Sequence, residues 1–454
     1  MAKTIDMTRG SASKSIILFA LPMLIGNIFQ QLYNVVDSTV VGKFVGAEAL
    51  AAVGATSSCS MLLLTLVNGL AAGAGIIIAQ CIGARDFRQM RNAVTALIYI
   101  DIVMGIVITI TGTLLAEPIL RLMNTPEEII GDSVTYMKIN FAGTIGLLAY
   151  NSGAVILRSF GDSKTSLYIL ILSSLVNVVL DLLFVLGFGM GVAGAAYATV
   201  IATFVSAAAC IGYLYFRRHI LFLDGMELKF DVAMFREIVK TGIPSGLQSS
   251  MISIGNMCVQ GLINSFGTMT VAAYTAAGKI DSIVIQIVMS IAMSLSVYSG
   301  QNVGAGNIER VRIGLRGTLK IMLTVCVSIA VLILIFKRQL LGIFLSESDA
   351  AEAINIGCTY LSIMGIAYII CGVMQSFQNL IKGAGDVNAA MAAGFVELST
   401  RVAASYLLVH FFGVTGLWLA IPVSWGSACL IPLLRYMSGK WINKRAAVLK
   451  TAEG

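Results

Sequence analysis

The residues best placed for chemistry are a few polar side chains inside long apolar stretches. Gln30, Asn34 and Asp37 lie at i, i+4 and i+7, so they share one face of a helix. Asn177 and Asp181 form a second i, i+4 pair, and the apolar sequence around them supplies no basic partner. A carboxylate in such surroundings holds a proton or binds a cation. Both groups predict a cation or proton site; the alternatives are hydration of Asp37 near a helix end and a structural hydrogen bond at Asp181.

A third group combines opposite charges. Glu397 and Arg401 lie at i, i+4, where the two side chains can neutralise each other. A structural ion pair and a contact with an organic ion are equally compatible with this spacing. Asp101, and Lys279 with Asp281, are further ionisable residues in apolar stretches, but the last two lie at i, i+2 and do not face each other along one helix.

Composition indicates the elements that must position these residues. The chain has 454 residues, of which 57% are hydrophobic and only 12% charged, against about 25% charged in soluble domains. Much of this apolar surface must therefore face lipid. The eight cysteines form no CxxC pair, and there are only two histidines, so neither a disulfide framework nor a zinc site is indicated.

The apolar runs predict an all-α polytopic membrane protein with about twelve transmembrane helices. Each run is long enough to cross about 30 Å of hydrocarbon. The first run is too long and too polar for a cleaved signal sequence. The predicted spans are 15–41, 50–79, 93–116, 134–158, 166–186, 192–216, 239–264, 271–298, 317–337, 354–381, 388–410 and 414–436.

The basic residues alternate with these spans. Of the 30 lysines and arginines, 23 fall on one set of alternate connecting segments, five fall on the other set, and two lie inside predicted spans. Basic residues favour the cytoplasmic side, so both termini are predicted to be cytoplasmic. The net charge of +7 is then a topology signal, and no nucleic-acid partner is indicated.

The chain also repeats itself at an offset near 222 residues, which relates two six-helix lobes. We predict an N-terminal lobe over 1–216, a cytoplasmic linker over 217–238 and a C-terminal lobe with a cytoplasmic tail over 239–454. Two related lobes suit alternating access to a central cavity. The repeated pieces are Gly46–Ala52 with Gly267–Ala273, Gly83-Ala84 with Gly304-Ala305, Gly161-Asp162 with Gly385-Asp386, Gly191–Gly194 with Gly413–Gly416, and Pro22 with Pro244.

Pro22 is a candidate hinge. It lies about four turns before Asp37 in the first predicted span. A proline inside a helix removes a backbone hydrogen bond and permits a kink, so cation binding at Asp37 could shift the span between two packings. A static bend is the alternative.

Taken together, these motifs resemble the multidrug and toxic-compound extrusion (MATE) transporter family over nearly all predicted spans. The resemblance implies an antiporter that exports small, often cationic, organic compounds in exchange for protons or sodium ions. It also implies that the proton or sodium site lies in the N-terminal lobe at Asp37, Asn177, Asp181 and Thr199, with Tyr136 beside it. The carrying motifs are Pro22 with Asp37, Gly83-Ala84-Arg85, Asn177–Asp181, and Gly191–Gly194 with Thr199.

One feature departs from the family pattern. Some MATE branches carry an acid in span 7, where this chain has Gln248, Asn256 and Asn264 but no carboxylate. A sodium site of that kind is not expected, and coupling should occur in the N-terminal lobe. The expected substrate-cavity residues are Gln30, Asn34, Gln248, Asn256, Glu397 and Arg401.

The chain is therefore expected to be a transporter and not an enzyme, with no cofactor beyond its coupling ion. Its expected partners are small organic substrates and the lipid bilayer, and it is expected to be a monomer in the inner membrane. A flippase for lipid-linked saccharides is the alternative, although its cavity should be more cationic than Lys279 and Arg401 allow. The Gly383–Asp386 segment matches the GxGD pattern of intramembrane proteases, but no Tyr-Asp partner motif accompanies it.

Overall fold

The computed structural model describes residues 5–123, 125–225, 229–345 and 351–442, with the backbone alone for 57–64 and 66. Residues 1–4 of the predicted N-terminal lobe, residues 226–228 of the predicted linker and the C-terminal tail from 443 lie outside these ranges, as do residues 124 and 346–350. Within the described ranges all the regular secondary structure is helical, as predicted.

Thirteen α-helices make up the described fold. Their bounds are α1 Ala12–Val40, α2 Ala47–Ala84, α3 Phe87–Leu122, α4 Glu127–Ala142, α5 Thr144–Ser159, α6 Ser163–Asp181, α7 Gly191–Phe216, α8 Val232–Asn264, α9 Thr268–Gly304, α10 Ile308–Gly342, α11 Ala351–Gly383, α12 Val387–Phe412 and α13 Val414–Met437.

The helices account for the predicted number of spans. In the described ranges, ten helices are long and apolar enough to cross a membrane, and α4 with α5, which are bent by 50° at their junction, add an eleventh when the pair is counted as one span. Helix α8 has 33 residues, about 50 Å at 1.5 Å per residue, but it is too polar to be counted with the ten. With α8 included, the helices give the twelve predicted spans.

The predicted fourth span, 134–158, is not one continuous helix. It breaks at Gly143 between α4 and α5. A Cβ atom at Gly143 would lie 2.5 Å from Val200 Cγ2 of α7, so glycine lets α7 pack against the break. The Thr109 hydroxyl of α3 donates to the Phe141 carbonyl at 2.9 Å. A side chain thus satisfies a carbonyl beside the break, as the membrane interior requires.

A helix begins inside the predicted linker, 217–238. Helix α8 begins at Val232, seven residues before the predicted span. The Asp231 carboxylate accepts hydrogen bonds from the backbone N–H groups of Ala233 and Met234, at 2.9 and 3.1 Å. Asp231 therefore caps the first turn of α8, which the apolar pattern alone did not reveal.

The chain divides into two compact units whose limits cross two helices. The first unit contains Leu21–Gly246, and the second contains Asp6–Ala20 and the chain from Leu247 onward. The change of unit within α1 and α8 therefore falls within three residues of Pro22 and Pro244. Both prolines are equivalent in the repeat, so each half carries a proline at the same place inside its first helix.

The segment Asp6–Ala20 belongs to the second unit, and α9 and α10 hold the backbone at its beginning. The Arg310 guanidinium donates to the carbonyls of Met7 and Gly10 at 3.2 and 3.0 Å. Asn302 Nδ2 donates to the Met7 carbonyl at 3.0 Å, and the Met7 N–H donates to Gln301 Oε1 at 3.1 Å. The Met7 side chain is fully buried.

The two Gly-Asp repeats are structural. Asp162 caps α6 by accepting from the Thr165 N–H at 3.0 Å, and it also accepts from the Tyr213 hydroxyl at 3.0 Å. Asp386 instead accepts from Arg435 Nε at 2.5 Å. Arg435 corresponds to Tyr213 at the 222-residue offset, so both carboxylates hold the last helix of their own half.

Candidate functional site

The predicted coupling residues come together inside the first unit. Asp37 lies near the end of α1, and Asp181 is the last residue of α6. The two carboxyl groups face each other. Ionised carboxylates can only accept hydrogen bonds, so their proximity is unfavourable unless a proton or a cation lies between them.

A cluster of acceptor oxygens at this position lacks donors. Asp37 Oδ1, both carboxylate oxygens of Asp181 and Asn177 Oδ1 are buried and have no hydrogen-bond partner among the described residues. The Asp181 and Asn177 residues are 0% and 1% exposed. Since buried polar atoms are normally satisfied, these oxygens are available to a ligand that supplies positive charge.

Three neutral side chains complete the site. Asn177 Nδ2 donates to Thr199 Oγ1 of α7 at 3.3 Å, which turns Asn177 Oδ1 away from Thr199. The Tyr33 hydroxyl interacts with Thr199 and lies near both carboxylates. Tyr136 of α4 also lies near Asp37, Asp181 and Tyr33. Sequence reasoning missed Tyr33, although its place four residues before Asp37 puts it on the same helix face.

Each acidic residue lies just before a π-helical turn. Helix α1 continues into the turn Val41–Val45, and α6 continues into Leu182–Gly187. The turns are closed by hydrogen bonds from the Gly46 N–H to the Val41 carbonyl at 3.1 Å and from the Phe188 N–H to the Leu183 carbonyl at 3.0 Å. Such turns often accompany functional sites. Here one follows each of the two helices that carry the carboxylates, α1 and α6.

The donor set suits a proton or a hard cation. Carboxylate, amide and hydroxyl oxygens are the ligands that hard cations prefer. Among the described residues no group of three or more His, Cys, Asp and Glu side chains could hold a metal ion. The orphaned oxygens of Asp37, Asn177 and Asp181, with Thr199 beside them, therefore fit sodium or a proton better than a transition metal.

Three other predicted residues lie on α1. Gln30 and Asn34 are exposed and lie about two turns and one turn before Asp37, and Pro22 is buried inside the helix. The Asn34 carbonyl accepts from the Ser38 hydroxyl at 2.8 Å. Their assignment to a substrate cavity and to a hinge stays a prediction.

The charged pair of the second unit lies in a buried network. Arg401 Nη2 contacts Glu397 Oε1 at 2.7 Å, and Arg401 Nη1 donates to Asn256 Oδ1 at 2.5 Å. Arg401 Nε also donates to Ser424 Oγ at 3.4 Å. Glu397 and Arg401 are 3% and 7% exposed. Arg401 thus has the buried partners that a structural ion pair requires, and this is one of the two interpretations predicted for Glu397 and Arg401.

The remaining predicted cavity residue, Gln248, lies in a separate network of the second unit. Its Nε2 donates to Gln378 Oε1 at 3.2 Å, and its Oε1 accepts from Lys382 Nζ at 3.4 Å. Asp281 accepts from the buried Tyr368 hydroxyl at 2.7 Å, whereas Lys279 is exposed. Lys279 and Asp281 thus have different surroundings, as their i, i+2 spacing predicted.

Comparison with known proteins agrees with this arrangement. The MatE family model matches residues 22–183 and 244–407, two segments that begin 222 residues apart and together cover more than half of the chain. The second match begins at Pro244 where the first begins at Pro22, which supports the predicted repeat.

Full-length relatives and solved structures belong to the same family. The chain is 30% identical over 440 residues to the probable multidrug resistance protein YpnP of Bacillus subtilis, covering 97% of this chain and 98% of YpnP. It is 24% identical over 445 residues to the probable multidrug resistance protein NorM of Thermotoga maritima, covering 96% and 94%. The crystal structure of a MATE protein in a bent conformation superposes with a TM-score of 0.87 at 26% identity over 99% of both chains.

These matches confirm the predicted family, the two-lobed all-α fold and the predicted transporter class, which is not enzymatic. The match over almost the whole length also agrees with a multi-pass membrane protein. The chain belongs to the MatE family of multidrug efflux transporters.

Proposed function

We propose that this protein exports small, often cationic, organic compounds in exchange for protons or sodium ions that bind at Asp37 and Asp181. The single observation that carries this proposal is the cluster of orphaned, buried acceptor oxygens on Asp37, Asn177 and Asp181. The names of the relatives, which include multidrug resistance and multidrug export proteins, support the substrate class.

The cluster supplies the chemistry that antiport requires. A coupling ion can drive a cycle only if the two states of the transporter bind it with different affinity. Facing carboxylates repel each other until a proton or sodium ion enters, so any rearrangement of α1 relative to α6 changes that affinity. Entry of the ion on the outer side and its release on the inner side would then drive substrate outward.

The expected location is the inner membrane, with both termini cytoplasmic and the Asp37–Asp181 site toward the outer side. This orientation rests on the excess of basic residues on one set of connecting segments. The coupling residues all belong to one unit of one chain, which is consistent with a functional monomer. Labelling of single cysteines placed at either terminus tests the orientation, and the mass of the purified protein in detergent tests the monomer.

Uptake into inside-out vesicles tests the exchange. Vesicles that contain the protein receive a fluorescent organic cation together with an imposed proton gradient or an imposed sodium gradient. We expect one gradient to drive uptake in the wild type and in Asp132→Asn, a control at an exposed carboxylate of α4. Asp37→Asn should not accumulate the cation under either gradient.

The result also distinguishes the alternative function. Absence of uptake by folded wild-type protein under both gradients would contradict the proposal and favour a flippase for lipid-linked saccharides. Against that alternative, Arg401 is already neutralised by Glu397, so it does not form a free cationic site for a pyrophosphate group.

The hinge hypothesis makes a separate prediction. Pro22→Ala restores a backbone donor within α1 and removes the ring that disfavours a straight helix, so we expect transport to slow by about tenfold, an effect of about 1.4 kcal/mol on the barrier. Binding of the coupling ion should be retained. Pro244→Ala is the matched variant in the second half. Transport by Pro22→Ala at the wild-type rate would indicate that the proline marks only a static bend.

A further inference from the structure

A cavity of the first unit holds a buried carboxylate that has no part in the coupling site. It has a volume of about 700 Å³ and lies among α3, α5, α7 and the segment that follows α7. This volume is typical of sites for drug-sized ligands. The coupling site uses α1, α4, α6 and a different part of α7, around Thr199, so the two sites share a helix but no residue.

Asp101 is the charged residue of α3 in this cavity. It is 9% exposed, and no Lys, Arg or His of the described ranges lies within ion-pair distance of it. Ser152 of α5 faces the carboxylate and is 4% exposed; its hydroxyl oxygen makes no hydrogen bond of regular geometry with a described residue. An acidic group and a hydroxyl thus meet in the part of the cavity that α3 and α5 line.

The mouth of the cavity does not neutralise Asp101. Arg218 lines the cavity, but its Nε pairs with Asp224 at 3.2 Å and its guanidinium lies 4.3 Å from the centre of the Tyr215 ring. His219 contacts the same Asp224 from the exposed side. Arg218 and Asp224 pair with each other, so the carboxyl group of Asp101 has no charged partner among the described residues that line the cavity.

The walls of the cavity are apolar and open on the flank of the unit. Its lining extends along α3 from Val94 to Ile102, eight residues or about 12 Å. Ile102, Ile211 and Tyr215 line it and are 46%, 58% and 61% exposed. An apolar group can therefore enter from the side while a positive charge reaches Asp101.

We propose that this cavity binds an amphiphile with one ammonium group, which pairs with Asp101 and Ser152 while its apolar chain lies between α3, α5 and α7. An ammonium group donates hydrogen bonds and balances the charge, which a buried carboxylate requires. A bilayer supplies such amphiphiles as lipophilic organic cations or as lipid head groups. Binding here does not require ion exchange at Asp37.

Binding to the intact protein in phosphatidylcholine nanodiscs tests the site. The probe is an octylammonium ion that carries a dansyl group, and its N-acetylated form serves as the uncharged control. We expect Asp101→Asn to weaken binding about tenfold or more, because the buried charge pair is lost. Asp101→Glu should restore part of the affinity. Ala149→Phe fills the cavity without changing its charge and should also weaken binding.

Three controls test whether the loss of probe binding arises at the cavity among α3, α5 and α7. Asp132→Asn and Asp37→Asn should bind the probe as the wild type does, although Asp37→Asn should not transport. Failure of this site is thereby distinguished from failure of the proposed antiport. A benzophenone-bearing octylammonium probe should label α3, α5 or α7, as read by mass spectrometry. Equal affinity of wild type and Asp101→Asn, or equal binding of the acetylated probe, would overturn the proposal.

A further experiment, in which the lipid composition of the nanodiscs is varied, identifies the source of the ammonium group. If phosphatidylethanolamine occupies the cavity, adding it to the nanodiscs should lower the apparent affinity of the wild type for the probe but not that of Asp101→Asn. If affinity is unchanged, the ligands are organic cations. Both results support an ammonium site.

Discussion

Asp181→Asn should abolish gradient-driven export while leaving the protein folded. The substitution keeps the size of the side chain but removes one of two facing carboxylates, so it removes the charge that holds the coupling ion. Because both Asp181 oxygens lack a donor among the described residues, an amide costs no hydrogen bond there. We expect the rate of transport to fall by at least about 100-fold, equivalent to about 2.7 kcal/mol, as measured by uptake into inside-out vesicles.

The accompanying stability measurement separates coupling from folding. Removing one of two like charges from a buried site relieves repulsion, so thermal stability in detergent should stay the same or rise. Asp132→Asn, at an exposed carboxylate of the same unit, should change neither quantity. The assignment of the coupling site would be refuted if Asp37→Asn and Asp181→Asn both transported against a gradient at the wild-type rate.

Arg401→Met should destabilise the protein by about 3–5 kcal/mol. The substitution leaves Glu397 as a buried charge without its partner at 2.7 Å, and it leaves Asn256 Oδ1 and Ser424 Oγ without the guanidinium that contacts them. The double variant Glu397→Gln with Arg401→Met removes both charges and should recover most of the lost stability. Denaturant titration in mixed micelles measures the free energy of unfolding of each variant.

The same variants decide between the two interpretations of this pair. For a structural ion pair, the transport rate per folded molecule should be nearly unchanged in the double variant. If Arg401 contacts an organic ion instead, Arg401→Met should keep its stability and lose transport. Lys279→Met removes an exposed charge from α9 and should change the stability by less than about 0.5 kcal/mol.

Much of the coupling site was predictable because two of its properties can be read from residues close together in the sequence: their spacing along a helix and the cost of placing a carboxylate in an apolar stretch. Asn177 and Asp181 lie one turn apart in an apolar helix, where a carboxylate without a partner is too costly to be incidental. Tyr33 lies on the same helix face as Asp37, but an aromatic hydroxyl carries no charge, so its spacing alone did not mark it as part of the site. The meeting of Asp37 with Asp181 joins positions 144 residues apart and was expected only from the family resemblance.

The sequence by itself determined the number of spans and the internal repeat, because both depend on local apolarity and on similarity along the chain. The tertiary structure decided what depends on packing: the break at Gly143, where α7 approaches too closely for a Cβ atom; the start of α8 at Val232; and the π-helical turns after Asp37 and Asp181.

The tertiary structure also decided the surroundings of each buried charge. Asp101 and Arg401 are both ionisable residues within apolar helices, yet Arg401 has three hydrogen-bonding partners while Asp101 faces a cavity. The physical reason is that the cost of a buried charge depends on its neighbours in space, which come from other helices.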